Sequence, residues 1–559
     1  MGLFRKNTNV MRKAPVIGSV KRVEVKETAA AEPEVKKPAA AAEHEEAVKS
    51  VTAEPAASAE PAAAAVPVAE EKAAGPAADA VFHYFREISA IPHGSHHTEQ
   101  ISDYLAEFAK KRGLSYVQDD TNNVIITKKA SEGCENAEPI ALQGHIDMVL
   151  AREPEKKIDL TTEAITILED GDWMFADGTT LGADDGIAVA MMLAVLDDDE
   201  IRHPLIECIF TSDEEVGLIG ASAIDLTGLK SRRLLNLDSE EEGVFCAGCA
   251  GGADVVCDLP LKKKSKEGRI LRVKVSGLIG GHSGSDIHIG GANAIRLLAR
   301  ALYTVYGEVP FRLVSIDGGD ANNAIPNSAE AEVLFAEEDY SDRVPEMFDG
   351  AGKTLAAEYR FTDPDMKWTA DAEGSGEAEC VSHKKTRKIL EFLMALPTGI
   401  THLNPVIKGE PQTSLNMGVI RTLKDRLSIQ FMVRSGVNTQ TDYLCDRLAC
   451  ICSGFGASSE VRSSYPAWEY RKDSPLRDMA IATYTELTGK EPEVEVIHAG
   501  LECGILSGKL PGLDCISAGP TLQNVHTVRE RASISSVGNV WKFVLALLEK
   551  AAAGAPKED

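Results

Sequence analysis

Five polar turns recur along this chain in one setting: each closes an apolar run, opens one, or sits between two. Gly144-His145-Ile146-Asp147 closes "PIALQ", and Gly182-Ala183-Asp184-Asp185-Gly186 opens "IAVAMMLAVL". Ser212-Asp213-Glu214-Glu215 follows "LIECIF", Asn236-Leu237-Asp238-Ser239 ends "RRLLN", and Asn524-Val525-His526-Thr527 lies near the C-terminus. Short apolar runs alternating with helical patterns predict an open α/β sheet, and ligands of such sheets gather outside the carboxyl ends of the strands. Acids converging there from separate strands repel one another, and a cation is the simplest compensation. Two histidines with three or four carboxylates make a nitrogen/oxygen set suited to two zinc or manganese ions. His145 and Asp147 lie two apart, so on a strand they share a face. By themselves they read equally as a hydrogen-bonded pair or as the start of a metal site.

The rest of the chain divides by composition. Residues 1–77 begin basic and continue almost entirely as Ala, Pro, Glu, Lys and Val. Too few large apolar groups are present to offset ordering entropy, so a disordered tail is expected. Gly2 suits acylation only as far as Lys6, where Ser or Thr is required. From 78 to 251 strands and helices alternate as the first part of an α/β domain. Strands such as "RILRVKVSGL" and "RLSIQFMVRS" with helices such as "ANAIRLLARALYTVYG" predict an α+β domain inserted over 252–464. The α/β pattern returns over 465–553, and 554–559 read as a disordered end. A length of 559 residues is long for one core. The net charge of −27 repels phosphates and argues against a nucleic-acid partner. No run approaches the roughly 20 apolar residues of a membrane helix. Eleven cysteines in no framework spacing suit a reducing, cytoplasmic compartment. Cys246-Ala247-Gly248-Cys249 has no second pair and reads as small residues packing at a domain crossover. His93, His96 and His97 lie in a polar turn without a partner at ligand spacing and read as solvated.

The segments "GHIDMV", "DGTTLGADDGIAVA", "TSDEEVGLIGA", "LLNLDSEEEG", "GGHSGSDIH", "NAIPNSA" and "HAGLECGIL" resemble, in this order, the di-zinc exopeptidases that include carnosinases and bacterial carboxypeptidases. Within them the likeness is to the cytosolic nonspecific, or aminoacyl-histidine, dipeptidases, and it spans about residues 78–553. The resemblance implies a catalytic domain with an inserted lid and dimerisation domain, and two divalent ions, zinc first, with manganese or cobalt as alternatives. It implies that Asp184 bridges them, with His145 and Asp238 completing one shell and Glu215 and His526 the other. Asp147 would orient the His145 ring, and Glu214 would be the general base. His282 would help hold the oxyanion, and could reach a neighbouring subunit's site in a homodimer. Arg434 would grip the substrate carboxylate. Glu502 is equally a partner for the substrate amino group or a structural acid. Asp185 and Asp213 are left as local turn or capping acids. After His526 the chain has Thr527-Val528-Arg529-Glu530 where the family usually has a Ser-Pro-Asp-Glu-like run, which puts the surrounding geometry in question.

The implied activity is hydrolysis of unblocked dipeptides, Xaa-His and broader, through a metal-bridging water and a glutamate base. Two other readings compete with it: an aminoacylase or carboxypeptidase on the same scaffold, and a catalytically silent scaffold tethered by its tail.

Overall fold

The computed structural model describes residues 78–553. The expectations for residues 1–77, Gly2 and Lys6 included, and for 554–559 lie outside the described residues.

An eight-stranded mixed sheet runs in the spatial order Ser115–Gln118, Val124–Lys128, Ile206–Thr211, Ile140–His145, Arg233–Asn236, Asp514–Ser517, Val244–Cys249, Glu493–Ile497. Ile140–His145 pairs in parallel with Ile206–Thr211 on one side and with Arg233–Asn236 on the other. These central strands are buried along their whole length, which suits apolar runs such as "IECIF" rather than alternation. The chain leaves Ile140–His145 for one neighbour and then crosses to the other. A crevice therefore opens beyond the carboxyl end of this strand, where the strand order reverses. The helix Ala183–Asp197 is apolar on every side and buried from Ala183 to Leu196. It packs against both Ile140–His145 and the helix Asp79–Ser89. Its beginning is irregular: Asp184 and Asp185 have non-helical backbone angles, and the peptide bond between them is cis.

A nine-stranded sheet is drawn entirely from residues 251–465, and its strands pair antiparallel. The helices Ala294–Glu308, Arg343–Glu358, His383–Ala395 and Asn438–Gly454 share a core with it. Strand residues such as Val273, Ala331 and Val333 join that core, while Arg272, Lys274 and Glu330 alternate outward into ion pairs. The chain passes between the two sheets where Val244–Cys249 leads into Gly251–Pro260. Cys246 and Cys249 are buried there, and all eleven cysteines are free thiols. A Cβ on Gly251 would lie 2.5 Å from the Ala467 nitrogen, and one on Gly252 2.6 Å from the Tyr465 ring. Small residues at the crossover thus have a packing reason.

A third sheet was not legible in the sequence. Leu522–Gln523, Arg531–Ser533, Trp173–Ala176 and Ile167–Asp170 form four short antiparallel strands. Arg531–Ser533 pairs directly with Trp173–Ala176. This pairing sets the turn holding His526 beside the segment that leads into Asp184.

Candidate metal centre and active site

His145 is the last residue of its strand, and Glu214–Glu215 and Asp238 follow the ends of the strands on either side of it. Asp184 enters from the irregular start of the buried helix, and His526 from the turn of the small sheet. The imidazole Nε2 of His145 lies 3.2 Å from Asp184 Oδ1 and 3.9 Å from Asp238 Oδ1. The Nε2 of His526 lies 3.1 Å from Asp184 Oδ2 and 2.9 Å from Glu215 Oε1. One carboxylate therefore turns a different oxygen towards each imidazole. Donor atoms of His145, Asp184 and Asp238 lie within 4.8 Å of one another, as do those of Asp184, Glu215 and His526 and those of His145, Glu214 and Glu215. The first two sets are those expected from the sequence, and the third brings Glu214 to the same centre. His145 is buried, whereas the His526 side chain is 48% exposed, so the cluster runs from the sheet end to the surface.

Acids that are not expected ligands hold the backbone of those that are. Asp147 is buried; its Oδ1 accepts the Glu214 N–H at 2.9 Å, and Oδ2 accepts the Ser95 hydroxyl at 2.8 Å and the Glu215 N–H at 3.4 Å. The His145 Nδ1 meets the backbone carbonyl of Asp147 at 2.9 Å, and its carboxylate at 3.5 Å. The His145 ring is thus fixed mainly by main chain, while the Asp147 side chain also fixes the neighbouring turn. Asp185 and Asp213 are not the local turn acids expected. Asp185 is buried and accepts the His145 N–H at 3.2 Å; a Cβ on Gly144 would collide with this carboxylate. Asp213 accepts the His96 N–H at 2.7 Å, tying two loops 117 residues apart. His93 is a further correction: it is buried, with Nδ1 against the Ile91 carbonyl at 2.5 Å, while His96 and His97 are exposed. Glu530, to which the sequence assigned no role, is buried and accepts the N–H groups of Leu181, Gly182, Ala183 and Asp184.

The charges are out of balance. Burial, then Glu502, Glu215 and Asp184, push Glu214 up to about 8. Burial and then Asp185 push Asp238 well above the usual carboxylate range. Against its own burial, Asp184 is pulled down by the two imidazoles. Contacts with Asp184 and Glu215 raise His526 to about 10. Buried acids made harder to ionise beside imidazoles made easier to protonate mark a group short of positive charge.

His282 and Arg434 form a second cluster. Arg434 is the next-to-last residue of the strand Arg426–Ser435 and is 4% exposed. It donates to His282 Nε2 at 3.1 Å, to the Tyr465 hydroxyl at 3.0 Å and to the Ser283 hydroxyl at 3.4 Å. Gly252, lacking a Cβ, leaves room for the Tyr465 ring. His498 is buried nearby with Nε2 2.7 Å from the Ser414 hydroxyl. None of the described hydrogen bonds or ion pairs joins His282 or Arg434 to the carboxylate–imidazole cluster. Glu502 has no exposed surface, and its Oε2 accepts from Gln143 and Thr211 at 2.6 Å each, beneath the strand ends rather than at their mouth, while its Oε1 is buried without a described partner.

Residues 141–550 match the model of peptidase family M20/M25/M40. The chain belongs to this family. As an M20/M25/M40 peptidase it is a hydrolase acting on peptide bonds. It is 35% identical over 468 residues to the cytosol non-specific dipeptidase of Escherichia coli (strain K12), covering 83% of this chain and 96% of that protein. The solved structure of an aminoacylhistidine dipeptidase from Vibrio alginolyticus matches with a TM-score of 0.79 at 35% identity, over 84% of this chain and 96% of that one. In this M20/M25/M40 peptidase the matched span contains His145, Asp184, Glu214, Glu215, Asp238 and His526, so the cluster belongs to the shared part of the fold. Among the described residues, no helix is long and apolar enough to cross a membrane.

Proposed function

We propose that the chain is a metal-dependent dipeptidase that hydrolyses unblocked dipeptides, Xaa-His among them. The observation that carries this reading is Asp184, whose two oxygens face two different imidazoles, each with its own further carboxylate. The names of the two relatives support the substrate class. The donor set fits a pair of divalent cations, zinc first, because it offers imidazole and carboxylate donors and lacks positive charge. His145, Asp184 and Asp238 would hold one ion, and Asp184, Glu215 and His526 the other. Bound there, the ions would supply polarisation of the scissile carbonyl and acidification of a water.

The chain's own groups do the rest. With the charge of bound ions offsetting its acidic neighbours, Glu214 would be ionised, take a proton from the attacking water on its carboxylate and pass it to the leaving amine. Asp147 keeps Glu214 aimed by holding the 214–215 backbone and backing the His145 ring. Arg434 receives the free carboxylate of the dipeptide, and His282 stabilises the oxyanion. In this reading residues 252–464 form a lid between the catalytic parts 78–251 and 465–553. Its closure, within one chain or across a homodimer, delivers His282 to the cluster and excludes water. Eleven free thiols suit a cytoplasmic setting.

The test is a panel of free dipeptides, β-alanyl-histidine included, beside their N-acetylated forms, with metal content measured by mass spectrometry. Cleavage of the free forms by protein carrying two metal ions per chain is expected. Cleavage of the acetylated forms alone would make the protein an aminoacylase or carboxypeptidase and overturn this reading.

A further inference from the structure

Glu530 has a place in this fold that neither its neighbours in sequence nor the expected ligand set explains. It is 2% exposed. Its Oε2 accepts the N–H groups of Leu181 at 2.7 Å and Gly182 at 3.0 Å, and its Oε1 those of Ala183 at 2.8 Å and Asp184 at 3.3 Å. Four consecutive N–H groups converge on one carboxylate because Gly182 takes a left-handed φ of 69° and curls the backbone into a concave nest. A Cβ on Gly182 would also sit 2.7 Å from the Met148 sulfur. Nests of this kind bind anions, and here the chain fills its own.

The two segments tied together are the ones that meet at the cluster. The nest ends on Asp184, whose Oδ2 faces His526. Glu530 stands four residues beyond His526, in a turn closed by the Thr527 hydroxyl on the Asn524 carbonyl at 2.7 Å and by the Glu530 N–H on the Thr527 carbonyl at 3.1 Å. His526 itself has a left-handed φ of 62°, uncommon outside glycine, so its turn needs such anchoring. We propose that Glu530 is a positioning residue that docks the Asp184 segment onto the His526 turn, so that the site shared by Asp184, Glu215 and His526 is formed before an ion arrives. A glutamine could not replace it, since it has one acceptor oxygen and would aim an NH2 group at two N–H donors.

This inference rests on the metal-dependent reading above, and its test separates the two. The full-length protein, stripped of metal with a chelator, is titrated with Zn2+ by calorimetry as wild type, as Glu530→Gln and as Glu207→Gln. Glu207 is the control: equally buried, it accepts the N–H groups of Lys230 and Ser231, at the opposite end of its strand from Glu214. Wild type and Glu207→Gln should bind two Zn2+ alike. Glu530→Gln should bind one of the two about 10–100-fold more weakly, as losses among groups that support metal ligands do. Its kcat should fall at low zinc and recover as zinc is raised, with KM unchanged. Two tight sites in Glu530→Gln overturn the inference and leave the metal reading standing, whereas no Zn2+ bound by wild type overturns both. An equal loss in Glu207→Gln reduces the role to general stability and overturns the inference. Should Glu530→Gln fail to fold, Glu530→Asp carries the test, because it keeps both oxygens on a side chain one methylene shorter. Weakening of one site then supports the inference, and unaltered binding at both overturns it.

Discussion

At the carboxyl end of the eight-stranded sheet, acids crowd around two imidazoles, and burial and mutual repulsion make them harder to ionise than in water. At the end of the strand Arg426–Ser435 the balance is reversed. Arg434 is surrounded by His282, His498, Tyr465 and Ser283, and no carboxylate is among its described hydrogen-bond or ion-pair partners. The first cluster lacks cations and the second lacks an anion. Each is built from groups that would be more comfortable apart, and each is held by packing and main-chain bonds that leave its deficit open. A dipeptide with a free carboxylate answers the second deficit as divalent ions answer the first. The pair teaches that the frustration on the two faces is complementary, and that each should be breakable without the other.

The largest effect should come from the residue shared by both expected ion sites. Asp184→Asn removes a charge and one oxygen acceptor facing the two imidazoles, and kcat/KM for a free dipeptide should fall at least about a thousandfold, roughly 4 kcal/mol of barrier. Wild type with bound ions should melt higher than after chelation, and this difference should vanish in the variant. Retention of two tightly bound ions by Asp184→Asn would break the first half of the comparison. Arg434 variants should leave ion binding untouched, which separates the clusters.

The second cluster should show its deficit as acid sensitivity. Burial first, then Arg434 and His282, lower His498 to about 4. The unfolded chain binds a proton here as pH falls below about 6.5, while the folded chain resists until about pH 4. Stability is therefore intact above the unfolded value and is lost across that window, by roughly 3 kcal/mol. Urea midpoints measured from pH 7 to pH 4 should fall more steeply for wild type than for His498→Gln. Parallel slopes would mean that the imidazole is free to protonate in the folded state.

What the sequence disclosed follows the same division. Strand ends were legible because apolar runs stop at His145, Glu214 and Asp238, and a polar residue closing a buried strand is visible without knowing its partners. The role of each acid within the cluster was less legible. Asp184 and Asp185 are adjacent, yet one faces two imidazoles and the other turns inward onto the His145 N–H, a difference set by backbone angles. Glu530 and Glu502 take their meaning from partners 291 to 359 residues away in sequence. The one signal available for Glu530 was that the altered run after His526 keeps its final glutamate. His93 looked solvated because a polar turn hides its packing; the parallel bridge of Gly94 with Met148 draws it inward. The small sheet escaped notice because its strands have only two to four residues.

The smallest of these effects is the most selective. Arg434 has five N–H groups, and its three described bonds leave one on each terminal nitrogen, the pair that a carboxylate can engage side by side. Arg434→Lys keeps the charge but cannot hold Tyr465, His282 and a carboxylate at once, because an ammonium is a point donor rather than a planar fork. KM for free dipeptides should rise about tenfold, roughly 1.4 kcal/mol, with a smaller change in kcat. For the matching dipeptide amides, which lack the carboxylate, wild type and variant should be alike. A uniform loss on both substrate types would assign Arg434 to holding His282 in place, and the anion deficit of the second cluster would then be structural rather than a site for substrate.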